Sequence, residues 1–237
     1  MEIARIADNV KRVREQMAQA ALRAGRDPKE IALVAATKTN GAPCVRAAIA
    51  AGVDACGENR VQELLQKDAE QAYAGAPKHL IGHLQRNKVR QVVGRVDLIE
   101  SVDSVELLRL LSERAQRLGL TQELLLELNI GGEASKSGAE PARLPELLEA
   151  ASALPGILVR GLMAIPPVSE KSGANRPYFA RMYQLFIDNR REKYNNVSME
   201  LLSMGMSGDF QDAILEGANM VRVGSAIFGQ RQYGPGG

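Results

Sequence analysis

Cysteine is nearly missing from this chain, with two in 237 residues. Cys44 and Cys56 have neither metal-ligand spacing nor the numbers of a disulfide framework, and they fit a reducing compartment. An excess of one charge is missing too. Thirty basic residues against 28 acidic ones leave a formal net charge of +2, too little to call for nucleic acid or another polyanion. No window approaches the roughly 20 apolar residues of a membrane span. The opening MEIARIADNVKRVREQ is charged throughout and lacks the apolar core of a signal peptide. No linker, low-complexity tract or break in composition divides the chain. These absences predict a cytoplasmic protein with residues 1–237 as one domain, and neither nucleic acid nor membrane as partner.

What is present is alternation. Across residues 2–24, Ile3, Ile6, Val10, Val13, Met17 and Ala20–Ala21 recur at spacings of three and four, and Gly25 closes the pattern as a helix. Eight short apolar runs follow: IALVAAT (31–37), VDACGE (53–58), HLIGHL (79–84), VDLIES (96–101), ELLLELNI (123–130), ILVRGLMAI (157–165), SMELLSMG (198–205) and MVRVGSAIFG (220–229). Longer amphipathic segments lie between them, near 43–51, 60–74, 86–94, 104–118, 141–153, 177–193 and 209–217, with Gly, Pro or Asn at most junctions. Such alternation predicts parallel strands joined by crossover helices. Eight strands within about 200 residues suit an α/β fold of the (β/α)8 TIM-barrel type, with an extra N-terminal helix. A doubly wound open sheet is the structural rival.

In such a barrel the working residues sit at the C-terminal ends of the strands, and phosphate commonly binds after the seventh and eighth. The seventh run leads into SMGMSGD (203–209) and the eighth reads RVGSAIFG (222–229). Both offer glycines for close backbone approach and serine hydroxyls as donors. Lys38 ends the first run at the same face. A lysine of ordinary pKa, about 10.4, is almost wholly protonated at neutral pH, whereas the neutral amine is the nucleophile. Apolar neighbours such as Ala35 and Ala36 favour that neutral form. Amine and anion cradle across one mouth ask for a ligand carrying an aldehyde and a phosphate. Arg222 is a permanent cation inside an apolar strand and needs a partner. Against a pyridine nitrogen it would keep that nitrogen unprotonated.

At these residues the chain resembles the pyridoxal phosphate homeostasis protein family, a branch of the fold type III proteins related to the barrel domain of alanine racemase. The matching segments are ATKT, GENRVQEL (57–64), HLIGHLQRNKV (79–89), SVDS (101–104), LELNIGGEASKSG (126–138), GLMAIPP (161–167), LSMGMSGDFQDAI (202–214) and VRVGSAIFGQR (221–231), in order along nearly the whole chain. The resemblance implies a monomeric barrel with pyridoxal 5′-phosphate (PLP) as cofactor, held as a Schiff base on Lys38. It implies a phosphate held by Ser207, Gly224 and Ser225, and Arg222 facing the pyridine nitrogen. It further implies Met163 packing on the ring face, with Asn59 and Ser203 lining the cavity. Two departures lie by the pocket mouth: Arg60 where an aromatic is common, and Asn40 where a second basic residue is frequent.

Other signals weigh less. His79 and His83 lie four apart, but in a strand rather than a helix, and no third metal ligand is evident. GGEASKSG (131–138) fails the spacing of a phosphate loop, since Ser135 precedes Lys136. RNKVRQVVGR (86–95) is most simply a solvated helix face. Three functions are compared: a carrier that buffers PLP and passes it to apo-enzymes, a PLP-dependent amino-acid racemase, and a class I aldolase-type barrel. Racemisation needs acid/base groups on both faces of the carbanion. In the racemase relatives, one is a tyrosine of a second, β-rich domain. Because the chain ends at Gly237, soon after the eighth run, that domain is expected to be absent. Tyr73, Tyr178, Tyr183, Tyr194 and Tyr233 lie on proposed helices or the tail. The expectation is therefore PLP homeostasis without strong catalysis and no catalytic residues of its own.

Overall fold

The eight apolar runs do form eight strands, and the open-sheet rival falls with the closure of the first strand on the last. The computed structural model describes residues 3–133, 136–169, 171–191 and 194–229. The strands are β1 (Ala32–Ala36), β2 (Ala55–Glu58), β3 (Lys78–Leu80), β4 (Leu98–Val102), β5 (Gln122–Leu128), β6 (Ile157–Ala164), β7 (Val197–Ser203) and β8 (Met220–Val223). They make a closed parallel barrel in sequence order, with Ala32 opposite Met220 and Val34 opposite Arg222 where β1 meets β8.

Alternation along each strand divides the core in two. Val34, Ala36, Ala55, Ile81, Leu98, Leu125, Met163 and Met220 form a cluster inside the barrel. Leu33, Ala35, Cys56, Leu80, Ile99, Leu124 and Leu202 face outward, against the helices. Those helices are α1 (Ala4–Arg23), α2 (Ala42–Ala50), α3 (Val61–Ala69), α4 (Val89–Val92), α5 (Val105–Leu118), α6 (Leu144–Ser152), α7 (Arg176–Arg190), α8 (Phe210–Leu215) and α9 (Ser225–Phe228), counted among the described residues. Helix α5 shows how local signals set the bounds. The Ser104 side chain accepts from Leu107 N–H, and Gly119 takes the left-handed conformation at its end.

The extra helix has a structural task. α9 has four residues, too short to cover the barrel wall beyond β8. α1 lies instead against α2, α8 and α9 and buries Ile6, Val10, Val13 and Met17. Each such side chain contributes roughly 1.5–3 kcal/mol when fully buried. Asn9 Nδ2 donates to the Ile227 carbonyl at 2.8 Å, and Arg26 donates to that of Ala218 at 2.7 Å, fastening the helix to α9 and its exit turn to the turn before β8.

Some predicted bounds shift. The eighth run does not continue as strand to Gly229, because Ser225–Phe228 turn into α9. β3 stops at Leu80, so His83 lies beyond it. The segment near 86–94 is a 3-10 turn followed by the single turn of α4. Tyr73 follows α3 in a turn rather than riding on the helix. Ala134, Ser135, Glu192, Lys193, Gln230, Arg231 and Tyr233, which figured in the sequence reading, lie outside the described residues.

Candidate functional site

The C-terminal ends of β1, β2, β7 and β8 surround a cavity of about 310 Å³. Six of the sequence-predicted residues line it: Lys38, Asn59, Ser207, Arg222, Gly224 and Ser225. Met163 and Ser203 are not in its wall. They pair with each other across β6 and β7 and are both fully buried. Asn59 owes its place to a glycine. A Cβ on Gly82 would stand 2.3 Å from the Asn59 carbonyl oxygen, so only glycine lets that strand end pass so close.

The two glycine-serine turns form one unit. Ser207 Oγ accepts from Gly224 N–H at 3.1 Å and from Ala226 N–H at 3.2 Å, tying the turn after β7 to the start of α9. A Cβ on Gly224 would lie 3.2 Å from the Ala36 carbonyl oxygen, so this turn also packs on the end of β1. Gly208 has nothing within 4 Å of the space a Cβ would take. The result is a hydroxyl-bearing, glycine-lined concavity facing Lys38 across the cavity.

Arg222 is almost fully buried at 3% exposure, and its charge is met inside the barrel. One guanidinium nitrogen donates to Ser203 Oγ at 2.6 Å and the other to the Ala164 carbonyl at 3.0 Å. Ser203 in turn donates to Glu100 Oε2 at 2.6 Å, and Glu100 Oε1 faces His79 Nδ1 at 2.7 Å. Glu100 Oε2 is also 3.8 Å from the guanidinium. Burial alone would raise the Glu100 carboxyl. The His79 hydrogen bond, the His79 and Arg222 charges and the Ser203 hydroxyl together hold it below the ordinary carboxylate range. Burial pulls Arg222 down in turn, against the pull of Glu100, Glu127 and Asp209. A chain of four residues from β3, β4, β7 and β8 thus fixes one cation at the cavity wall.

Lys38 is set up differently. It is half-buried, and its backbone has φ 44°, a left-handed conformation costing a residue with a Cβ roughly 1–2 kcal/mol. The turn is held at several points. Asn40 donates to the Thr37 carbonyl through both its backbone N–H and its side chain, at 3.0 and 2.7 Å. Lys67 Nζ donates to the Lys38 carbonyl, to Thr37 Oγ1 at 3.3 Å and to Glu58 Oε1 at 2.6 Å. Thr37 Oγ1 and Tyr73 also donate to Glu58 Oε1, the latter at 2.8 Å. Burial raises the Glu58 carboxyl, opposed by Lys67, Thr37 and Tyr73. It also raises the Tyr73 phenol and pushes the neighbouring Cys56 thiol up to about 12, which leaves that thiol inert as a nucleophile.

Sequence reasoning missed Glu58, Lys67, Glu100 and Glu127, though each left a signal. Three are acids inside apolar strands. Lys67 follows Val61 and Leu64 at spacings of three on the buried face of α3. Glu127 is buried, with Oε1 accepting from Ser137 at 2.7 Å and Oε2 lacking a hydrogen-bond partner. Burial, the larger cause, raises its carboxyl. The two histidines part company: His79 is buried against Glu100, while His83 is exposed, 3.9 Å from Asp103. Arg60 is exposed at the N-cap of α3. Arg86 of the basic segment pairs with Glu106 at the surface, and Lys136 Nζ donates to the Pro166 carbonyl at 3.0 Å.

Comparison with known proteins gives a consistent answer. The family described as "Alanine racemase, N-terminal domain" matches residues 2–232. The chain is 42% identical over 229 residues to the pyridoxal phosphate homeostasis protein of Pseudomonas aeruginosa, covering 97% of each chain. It is 42% identical over 226 residues to that of Aquifex aeolicus, covering 95% of this chain and 98% of the other. Among solved structures, PipY of Synechococcus elongatus with PLP bound superposes with a TM-score of 0.82 at 34% identity, covering 94% of this chain and all of that one.

Proposed function

Because this chain belongs to the pyridoxal phosphate homeostasis protein family, we propose that it binds PLP at the barrel mouth, anchored covalently by Lys38, and buffers and delivers that cofactor. The observation that carries the reading is the single cavity lined by Lys38, Ser207, Ser225 and Arg222. Its volume of about 310 Å³ is at the lower end of the about 300–1,000 Å³ usual for small-molecule sites. The donor set fits the group: an amine for an aldehyde, serine hydroxyls on glycine turns for a phosphate, and a buried cation for a ring nitrogen.

When bound, the cofactor supplies an aldehyde carbon open to amine attack and a ring able to accept electron density. Ser207, Gly224 and Ser225 would hold the phosphate end. Lys38 would supply the amine that anchors the aldehyde carbon, with release of water. Arg222 can donate but never accept, so it would keep a ring nitrogen beside it unprotonated and weaken the ring as an electron sink. Asn59 borders the cavity. Met163 and Ser203 act from beneath, Ser203 through its bond to Arg222.

The placement of the described tyrosines supports the reading of weak chemistry. Racemisation calls for a second acid/base group opposite the lysine. Of the described tyrosines, Tyr73 is committed to Glu58 behind the wall, Tyr178 and Tyr183 ride on α7, and Tyr194 precedes β7. None of them lines the cavity. We therefore favour the carrier over a low-activity racemase and over a class I aldolase, acting as a cytoplasmic monomer that meets PLP-dependent apo-enzymes in passing. No helix of the described residues is long and apolar enough to cross a membrane.

Incubation with PLP, borohydride reduction and peptide mass spectrometry test the anchor. The expected result is a yellow protein with one adduct, on Lys38, lost in Lys38→Ala. A colourless protein with no adduct would sink the reading. Robust formation of D- from L-amino acid on chiral chromatography would turn it to the racemase. Trapping of a sugar phosphate without PLP would turn it to the aldolase.

A further inference from the structure

We propose that Lys67 is the positioning residue for Lys38: from behind the barrel wall its ammonium holds the Lys38 carbonyl, and with it the left-handed turn that aims the Lys38 amine into the cavity. The inference rests on the reading of Lys38 as the reactive amine and deepens it.

Lys67 and Glu58 are both buried, at 5% and 0% exposure. Neither lines the cavity, so neither meets the ligand. Glu58 points away from the barrel interior, opposite outward-facing Leu80 in the β2–β3 register. The pair therefore lies outside the wall, between β2 and α3. A buried ion pair costs desolvation and gives little net stability. This one is directed at one place, since Lys67 reaches Thr37 Oγ1 and the Lys38 carbonyl while Glu58 takes the Thr37 hydroxyl. All of these contacts bear on the two residues where β1 leaves the barrel. At Lys38 the backbone has positive φ without being glycine, and such conformations persist only where surroundings over-determine them. Because φ sets the direction in which the whole four-carbon arm departs, a grip on the carbonyl sets where Nζ can reach.

The test follows borohydride trapping of pyridoxal and of PLP on Lys38 over time at several aldehyde concentrations. This separates the saturating rate from the half-saturating concentration, with circular dichroism as the check on folding. Lys67→Met should lower the saturating rate about tenfold, the effect of losing one charged hydrogen bond's restraint. The half-saturating concentration and competition by inorganic phosphate should stay unchanged, because the serine-glycine turns are untouched. Lys67→Arg, which keeps a cation donor, should recover part of the rate. Should Lys67→Met fail to fold, the double variant Glu58→Gln/Lys67→Met leaves no unpaired buried charge and should show the same loss. A saturating rate within about twofold of wild type in a folded variant overturns the proposal. So does a loss that also raises the half-saturating concentration and weakens phosphate competition, since that marks general collapse of the site. If the wild type gives no Lys38 adduct, the reading of the site falls and this inference with it, a result distinguishable from failure in the variants alone.

Discussion

Two buried charge networks flank the barrel mouth, and they treat their cations in opposite ways. On the β7–β8 side, the cation at the cavity wall is itself the centre of the network: Arg222 is bonded to Ser203 and Ala164, with Glu100 and His79 behind. On the β1–β2 side, the network is built around a second cation, Lys67, and reaches the cavity's lysine through its backbone. The chemistry of the two side chains explains the difference. A guanidinium never loses its proton, so it works as a fixed charge and is best immobilised. An amine that bonds to carbon must present a neutral nitrogen. The contact from Lys67 falls on the Lys38 backbone carbonyl, where it bears on the direction of the arm rather than on the nitrogen.

The largest effect should come from the arginine side. Arg222→Met leaves Glu100 buried without its cation, and the loss should be about 3–5 kcal/mol in urea unfolding. The double variant Glu100→Gln/Arg222→Met should recover much of it. A loss below about 1 kcal/mol would mean that the network is not a neutralised unit, and the contrast would fail.

Next comes pH, where the two buried acids should have opposite slopes. Glu100 is held below its ordinary value of 4.5, so its contribution is present above that value and is lost as pH falls through the lower folded value. Glu58 is raised above 4.5, so the fold favours its protonated form. Its contribution declines as pH rises from 4.5 through the higher folded value. Relative to wild type, Glu100→Gln should therefore lose least at acid pH, and Glu58→Gln should lose least toward neutral pH. Urea midpoints across that range check both, and slopes of the same sign would erase the distinction.

The smallest effect should be that of Tyr73→Phe, which removes one of three donors to Glu58 Oε1. About 0.5–1.5 kcal/mol of stability should go, with trapping on Lys38 scarcely slower, because Lys67 still holds the turn. A large fall in trapping would move the grip on Lys38 from Lys67 to Glu58.

Much of this was legible in the chain itself. The eight runs are strands because buried parallel strands need continuous apolar sequence, and the α1 pattern from Ile6 to Ala21 matches the residues it buries, while Ile3 at its front is exposed. Ser207, Gly224 and Ser225 stood out as turn residues in the place where barrels bind anions. The overrun of the eighth strand has a local cause, since SAIF is apolar and a single helical turn leaves no periodicity to detect. Met163 and Ser203 were expected at the cavity from the family resemblance. They pair across β6 and β7, fully buried and outside the cavity lining, and how deep a strand end sits depends on its neighbours rather than on its own sequence.

The sequence by itself determined the alternation, the helix added at the front, and the residue types waiting at the strand ends, because hydrophobic period and turn chemistry act over a few residues. Only the tertiary structure decided that β1 closes on β8, bringing Lys38 and Ser225 to one cavity across 187 positions of chain. It alone decided that Arg222 is answered by Glu100, and that Lys67 meets the carbonyl of a lysine in left-handed conformation. Those outcomes depend on burial and on contacts between distant segments, where a charge without a partner is costly and a charge with one can be put to use.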